Sequence, residues 1–442
     1  MTASKRHSAD IASKVRKTGL LAGPVAAVIV LMLPVPSGLP EAGLSAAALG
    51  TLMAIWWMSE ALPLAVTALA PLVLLPFLGV APFQSAAQPY ANPLIFLFLG
   101  GFILAKGLER WQLHRRLALK VLSGAGQNPR MIIAGLMAIT AFLSMWVSNT
   151  ATSMVMLPIA LSVAATVCGQ TASGSDDLNK SFAPALMLSI AYGATIGGMG
   201  TLIGTPPNAL FAGFLQDNYG IRIGFAEWML VGIPAVLVLL PLTWILLVKV
   251  TFDVPDRFPH KPEKPEPENN AGFPPMSRQE YTVAGIMTFT AICWLLRPFI
   301  AAAFPDLPLS DAGIAMAGAC LLFVVPDDWS KGTFLLRWQD VKDIRWDVLI
   351  LFGGGLSLAN AISSTGLAEW IGSSFAGLDY LPMAQATEAL NMPALLGVVA
   401  AQNLDGEILV AMDATFALTA MELMLGGDPK GDIDRQSDTF TG

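Results

Sequence analysis

Long stretches of the chain carry no charged side chain, and this feature limits the possible fold more than any other. From Met131 to Gln170, and again from Ala183 to Gln216, there is no Asp, Glu, Lys, Arg or His. A helix needs roughly 20 apolar residues to cross the hydrocarbon core of a bilayer. Only 13% of the residues are charged, whereas soluble domains carry about 25%. The sequence therefore predicts an all-α polytopic membrane protein.

Basic residues predict which side of the membrane each loop faces. Five Lys or Arg residues precede the first apolar segment, and the stretch 106–130 holds six against one Glu. Because cytoplasmic loops are enriched in Lys and Arg, both regions are predicted to be cytoplasmic. The predicted spans are 18–35, 46–61, 64–80, 92–106, 183–216, 225–250, 281–304, 309–326 and 346–365. The N-terminus is thus expected in the cytoplasm and the protein in the cell (inner) membrane.

The apolar pair 131–147 and 150–168 fits this topology only if it enters the membrane and returns to the same side. We therefore predict a re-entrant hairpin with Ser148, Asn149 and Thr150 at its tip. A Pro-rich and charged segment later in the chain reads as a linker between two halves. The predicted divisions are a cytoplasmic N-terminus (1–17), scaffold helices (18–130), a transport-domain half (131–250), a linker (251–280), second scaffold helices (281–390) and an atypical segment (391–442).

A short internal sequence similarity predicts two repeats of opposite orientation. The stretch 95–107, IFLFLGGFILAKG, resembles 349–361, LILFGGGLSLANA, at an offset of 254 residues that matches Phe98 with Phe352. The loop after the first copy is basic, whereas 361–390 contains no Lys or Arg. The two loops should therefore lie on opposite faces of the membrane. Inverted repeats of this kind are typical of secondary transporters with a binding site near the midplane.

Two polar or glycine-rich stretches inside the apolar regions are candidates for that site. The first is SMWVSNTATSMVMLP (144–158) and the second is AYGATIGGMGTLIGTPPNALFAGF (191–214). Five glycines followed by a double proline prevent a regular helix, so the backbone is predicted to unwind around 200–208. Unwound backbone at membrane depth survives only against protein or a watery cavity. Freed carbonyls with Ser and Asn oxygens suit Na⁺, and freed N–H groups at a helix N-terminus favour an anion.

The lack of charge around these stretches suggests how an anion could be held there. No carboxylate is available for proton coupling and no fixed cation is available to neutralise a bound anion. Co-bound sodium ions would supply the missing charge and would link anion binding to sodium binding. No nucleophile–base pair or metal-ligand cluster appears within the apolar segments, so an enzyme is not expected.

The motifs SEALPLAVTALAPL, SNTATSMVMLPIA and GTLIGTPPNAL resemble signatures of the divalent anion–sodium symporter family. The resemblance covers roughly residues 20–400 and implies an inverted-repeat homodimer that transports di- or tricarboxylates, or sulfate, by an elevator motion. No nucleic-acid partner is expected. The implied sodium ligands are Ser144, Ser148, Asn149 and the Gly197 backbone. The implied substrate contacts are Asn149, Thr150, Gly204, Thr205, Pro206 and Asn208.

The C-terminal part departs from this pattern. The repeat offset places a second Ser-Asn-Thr at 402–404, where the sequence reads Gln-Asn-Leu. The second repeat is therefore expected to be incomplete, through truncation, a frameshift or real divergence, and the chain as written to transport poorly or not at all. The leading hypothesis for its ancestry is sodium-coupled transport of C4-dicarboxylates such as succinate, malate or fumarate. The alternatives are a sulfate transporter or sodium-independent anion exchanger, and a truncated, non-transporting membrane paralogue.

Overall fold

The computed structural model describes residues 3–124, 128–169, 176–257 and 275–375. Its α-helices are α1 (Ala3–Met32), α2 (Glu41–Met58), α3 (Leu64–Thr67), α4 (Ala70–Phe77), α5 (Phe83–Ala87), α6 (Pro93–Arg110), α7 (Leu113–Gly124), α8 (Pro129–Ser144), α9 (Asn149–Gly169), α10 (Asp176–Gly198), α11 (Pro206–Tyr219), α12 (Phe225–Ile245), α13 (Arg278–Ala303), α14 (Asp311–Val324), α15 (Trp346–Ser364) and α16 (Leu367–Phe375). The predicted atypical segment 391–442 lies outside the described residues.

Five short elements complete the secondary structure of the described ranges. Strands β1 (Pro326–Asp328) and β2 (Thr333–Phe334) form an antiparallel pair between α14 and α15. The 3₁₀ segments are Gln88–Ala91 and Trp338–Val341, and a π-helical stretch, Leu246–Thr251, continues α12. The described part of the chain is therefore predominantly helical, as the uncharged apolar runs predict.

Six helical segments within the described ranges are long and apolar enough to cross a membrane, which confirms the polytopic class. They are Ser13–Met32, Phe83–Arg110, Ser181–Gly198, Phe225–Thr251, Arg278–Ala303 and Trp346–Ser364. The apolar helices Leu64–Phe77, Pro129–Ser144, Asn149–Ala165 and Asp311–Val324 are shorter. The predicted span 64–80 corresponds to the shorter segment Leu64–Phe77, which is interrupted between α3 and α4. Pro71 has no N–H to donate to the Thr67 carbonyl, and this interrupts the helix.

The basic stretch 106–130 is mostly helical rather than an extended loop. Helix α6 continues to Arg110, and α7 follows after a two-residue turn. In α7, Leu113 and Ala118 are buried while Arg115 and Lys120 are exposed. The buried positions explain why a segment so rich in charge still packs as a helix against the rest of the protein.

Ion pairs connect the helix ends that the predicted topology places on one side of the membrane. Arg116 of α7 lies 3.3 Å from Glu280 at the start of α13. Arg130 at the start of α8 lies 2.6 Å from Asp256, beyond the end of α12. Arg110 at the end of α6 pairs with Asp340. These contacts require the connected ends to share one side. That this side faces the cytoplasm stays a prediction.

The predicted internal repeat appears as two matching helix pairs, α6–α7 and α15–α16. The rings of Phe98 and Phe352, the matched positions, meet edge to face with centroids 5.2 Å apart. Leu94 and Leu356 both lie beside Gly213, so α6 and α15 pass each other in opposite directions. A residue that touches its own counterpart lies near the pseudo-twofold axis of an inverted repeat. The contacts therefore support the inverted arrangement.

The turns of the two pairs also match. The 254-residue offset maps Gln112 onto Gly366, and both adopt positive φ, 51° and 72°. Gly366→Val should lower the free energy of unfolding by about 1–2 kcal/mol, because a β-branched residue fits the left-handed region poorly. Gln112→Gly should cause no loss, because it removes the same strain. Thermal unfolding of both variants in detergent tests this; equal destabilisation of the two would contradict the matched turns.

Helices α8, α9 and α10 form the body that carries the candidate site. Gly193 and Gly197 of α10 lie against Met137 and Ala141 of α8, so these two helices run in the same direction. Asn149 at the start of α9 lies against Gly198 at the end of α10, so α9 runs the opposite way. Helices α8 and α9 are therefore an antiparallel hairpin, as predicted. The 16 residues of α8 extend only about 24 Å, which is less than the hydrocarbon thickness.

Candidate functional site

The hairpin connection brings two polar side chains together. Helix α8 ends at Ser144 and α9 begins at Asn149. The Ser144 hydroxyl is fully buried and donates to Asn149 Oδ1 at 2.6 Å. Two oxygens with lone pairs, one hydroxyl and one amide, therefore lie side by side. Such hard, neutral oxygens suit an alkali cation.

The end of α10 lies directly against this pair because its last two residues, Gly197 and Gly198, have no side chains. A Cβ added to Gly198 would overlap Asn149 Oδ1 and lie 3.1 Å from Nδ2. A Cβ added to Gly197 would overlap the Ala141 backbone, so this glycine is required for helix packing. The Gly197 carbonyl accepts from Gly200 N at 2.9 Å. The two glycines thus place backbone where bulkier residues would displace the hairpin tip.

The predicted unwinding is confirmed, with a small shift in its limits. Residues 199–205 form turns, and Pro206 and Pro207 already belong to the first turn of α11. Prolines are suited to that position because the first N–H groups of a helix have no intrahelical partner. We refer to 199–205 as the helix break.

Side chains from two elements hold the helix break in shape. Asn208 Nδ2 donates to the carbonyls of Gly198 at 3.0 Å and of Thr201 at 2.8 Å. The Thr201 hydroxyl donates to the carbonyl of Met145 in the hairpin connection. These bonds occupy both amide hydrogens of Asn208, so only its Oδ1 remains available for another partner.

The other predicted residues lie around the same cluster. Ser148 Oγ accepts from Ala151 N at 3.4 Å, at the start of α9. Gly204 packs against the backbone of Gly198 and Ser144. Thr205 precedes α11 and is mostly buried. The Thr150 side chain is half-buried and makes no hydrogen bond with any described residue. The structure thus brings Ser144, Asn149, Gly197 and Gly204 together, with Ser148 and Thr150 beside Asn149 at the hairpin tip.

The two helix N-termini at the site differ in their ability to bind an anion. Pro206 and Pro207 remove the first two N–H groups of α11. The first turn of the 21-residue helix α9 keeps the N–H groups of Asn149 and Thr150. Helix N-termini with free N–H groups attract negative charge. An anion is therefore better placed at α9 than at α11.

Sequence reasoning missed two residues near the site. Thr152 lies one turn beyond Ser148, and its hydroxyl is buried without a partner among the described residues. An unpaired buried hydroxyl costs about 1–3 kcal/mol, so this oxygen is a further candidate ligand. Trp228 of α12 donates its indole N–H to the Met199 carbonyl at 3.0 Å. Thr152 could have been found from its helical spacing, but no spacing in the sequence connects positions 228 and 199.

An aromatic stack joins the hairpin connection to the helices beside it. Trp146 stacks on Phe225 at 6.2 Å between centroids, and Phe225 stacks on Trp294 at 4.3 Å. Phe225 N donates to Asp311, which pairs with Arg297 at 2.8 Å. The hairpin connection is therefore packed against the start of α12, which in turn packs against α13.

Comparisons with known proteins give the family of the chain. Residues 54–429 match a family model described as citrate transporter. The sodium-dependent dicarboxylate transporter SdcS of Staphylococcus aureus strain USA300 is 38% identical over 364 residues, covering 82% of this chain and 70% of the relative. The SdcS proteins of strains bovine RF122 / ET3-1 and MSSA476 are 39% identical with the same coverage. The chain belongs to the divalent anion–sodium symporter family, whose members are membrane transporters and not enzymes.

Proposed function

We propose that the protein is a sodium-coupled symporter of C4-dicarboxylates such as succinate, malate or fumarate. The observation that carries the proposal is the neutral cluster of Ser144, Asn149 and the α10 backbone at the hairpin tip. Its relatives named sodium-dependent dicarboxylate transporters support both the coupled ion and the class of substrate. The protein acts in the cell (inner) membrane, with its N-terminus in the cytoplasm, as a homodimer.

Sodium is held by Ser144, Ser148, Asn149 and the Gly197 carbonyl. Support for this assignment comes from the adjacent oxygens of Ser144 and Asn149 and from the close approach of the α10 backbone. The Ser144 hydroxyl can turn its hydrogen away from Asn149 and present a lone pair. No residue needs to change its charge for the cation to bind.

The substrate carboxylate is held by Asn149 and Thr150, beside the stretch 204–208. The free N–H groups at the start of α9 favour the carboxylate, while Asn149 Nδ2 offers a further donor. Since Asn149 faces both solutes, sodium at its Oδ1 polarises the amide and strengthens donation from its nitrogen. The positive charge of sodium also offsets the charge of the substrate. Each solute therefore promotes binding of the other.

Two alternatives within transport concern the anion and the coupling. A sulfate transporter would use the same donors, and a sodium-independent exchanger would not need the Ser144–Asn149 oxygens. The relatives' names do not favour either. The third alternative, a non-transporting paralogue, depends on residues beyond 375, outside the described structure.

Uptake of radiolabelled succinate by the 442-residue chain in proteoliposomes tests the proposal. The proposal predicts uptake with an inward sodium gradient, and such uptake would overturn the expectation from the incomplete second repeat that the chain as written transports poorly or not at all. Uptake should be lost when choline replaces sodium, because choline is too large for the oxygens at the tip. Unlabelled succinate should compete and sulfate should not. Sodium-independent uptake would contradict the coupling, and stronger competition by sulfate would contradict the substrate. The absence of any uptake, with sodium and succinate binding intact, would favour the non-transporting alternative.

A further inference from the structure

A tryptophan outside the proposed ligand set reaches into the helix break. The indole N–H of Trp228 donates to the Met199 carbonyl, the first carbonyl beyond the end of α10. Its ring is half-buried and meets Phe211 of α11 edge to face at 6.3 Å. The bond therefore ties α12 to the unwound backbone at one defined atom.

The bonded carbonyl shares a peptide unit with a second hydrogen bond. The Met199 C=O and the Gly200 N–H belong to the same planar peptide. The Gly200 N–H donates to the Gly197 carbonyl at 2.9 Å. Fixing the carbonyl of this unit therefore fixes the direction of its N–H. Hydrogen bonds linked in series also polarise one another.

Helix α12 is shaped to approach this peptide closely. Gly232 follows Trp228 by one helical turn, and a Cβ at Gly232 would lie 2.6 Å from the Met199 oxygen and 2.9 Å from the Gly200 oxygen. At the far end of the same helix, Trp244 donates its indole N–H to the Arg130 carbonyl at 3.0 Å. The two tryptophans thus make the same kind of bond, but only Trp228 bonds to the helix break.

We propose that Trp228 is a positioning residue for the sodium site: it orients the 199–200 peptide, and this peptide orients the Gly197 carbonyl. The inference rests on the proposed function, because it takes the Gly197 carbonyl as a sodium ligand. Trp228 itself touches neither the ion nor the substrate. This positioning role also explains why α12 has glycine at position 232, where any side chain would push the helix away from the helix break.

The test measures sodium-induced thermal stabilisation of the purified full chain, titrated with NaCl against choline chloride at constant ionic strength. Trp228→Phe should raise the half-saturating sodium concentration about three- to tenfold, while the unfolding temperature in choline changes little. Trp244→Phe removes the matched bond, and Phe211→Leu removes the ring contact while leaving the indole N–H in place. Both should keep the wild-type sodium dependence.

Gly232→Ala provides a second route if Trp228→Phe yields no folded protein, and it should raise the half-saturating concentration in the same way. An unchanged sodium dependence in Trp228→Phe, or an equal rise in Trp244→Phe, would overturn the positioning role while leaving the proposed function intact. If sodium fails to stabilise the wild-type chain, the proposed function is contradicted, and the positioning role with it.

Discussion

Replacing Asn149 by alanine should abolish sodium-dependent succinate uptake while the protein remains folded. Asn149 Oδ1 is paired with the Ser144 hydroxyl, and its Nδ2 is the donor proposed for the substrate. The variant therefore loses a contact to the cation and a contact to the anion at once. Two such losses correspond to about a hundredfold or greater decrease in apparent sodium affinity. Sodium-induced thermal stabilisation and uptake in proteoliposomes measure the two effects separately.

Asn128→Ala is the matched control for this variant. Asn128 is the N-cap of α8, where its Oδ1 accepts from Arg130 N at 2.9 Å and from Met131 N at 3.3 Å. The change is chemically identical but lies at the start of α8, the end of that helix away from the hairpin tip. We expect a loss of about 1 kcal/mol in stability from the missing cap and no change in sodium affinity. Normal uptake by Asn149→Ala would contradict the assignment of the site.

Gly198→Ala should weaken sodium binding strongly without unfolding the protein. The new methyl group would occupy the position of the Asn149 amide. That amide is the end of a side chain and can rotate away, so the cost to the fold is small, and alanine also favours the helix. Asn149 would then lose its place beside Ser144. We expect the half-saturating sodium concentration to rise about tenfold or more.

Two other glycines separate this effect from general packing. Gly355→Ala places its methyl in open space and should behave as wild type. Gly197→Ala would press its methyl against the Ala141 backbone, which cannot rotate away, and should lower the unfolding temperature in choline. A Gly198→Ala variant with wild-type sodium dependence would contradict the contact between α10 and Asn149.

The sequence was sufficient to predict the features that are determined by neighbouring residues in the chain. The uncharged runs predicted the spans, the glycines with Pro206 and Pro207 predicted the helix break, and the loop charges predicted the hairpin topology. The similarity between 95–107 and 349–361 predicted the repeat, and the contact between Phe98 and Phe352 supports it. These predictions succeed because their causes do not depend on distant residues. Charged side chains are costly in lipid wherever they occur, and a proline cannot donate a backbone hydrogen bond in any fold.

Features that depend on distant contacts were not predictable. The helical form of α7 depends on burial of Leu113 and Ala118 against other helices. The bond from Trp228 to Met199 joins residues 29 positions apart that only the packing of α12 brings together. The two hydrogen bonds that Asn208 Nδ2 donates to the Gly198 and Thr201 carbonyls likewise depend on the shape of the helix break. A side chain can be recognised in the sequence as a candidate, but its partner is fixed only by the fold.

Succinate affinity measured as a function of sodium concentration tests the central claim most directly. The claim is that a site without charged residues holds a divalent anion only because sodium ions bind beside it. Calorimetric titration of the full chain at constant ionic strength, with choline as the balancing cation, supplies the measurement. The account predicts that succinate binding tightens steeply as sodium rises and is undetectable in choline alone. Equal succinate affinity in sodium and in choline would contradict it.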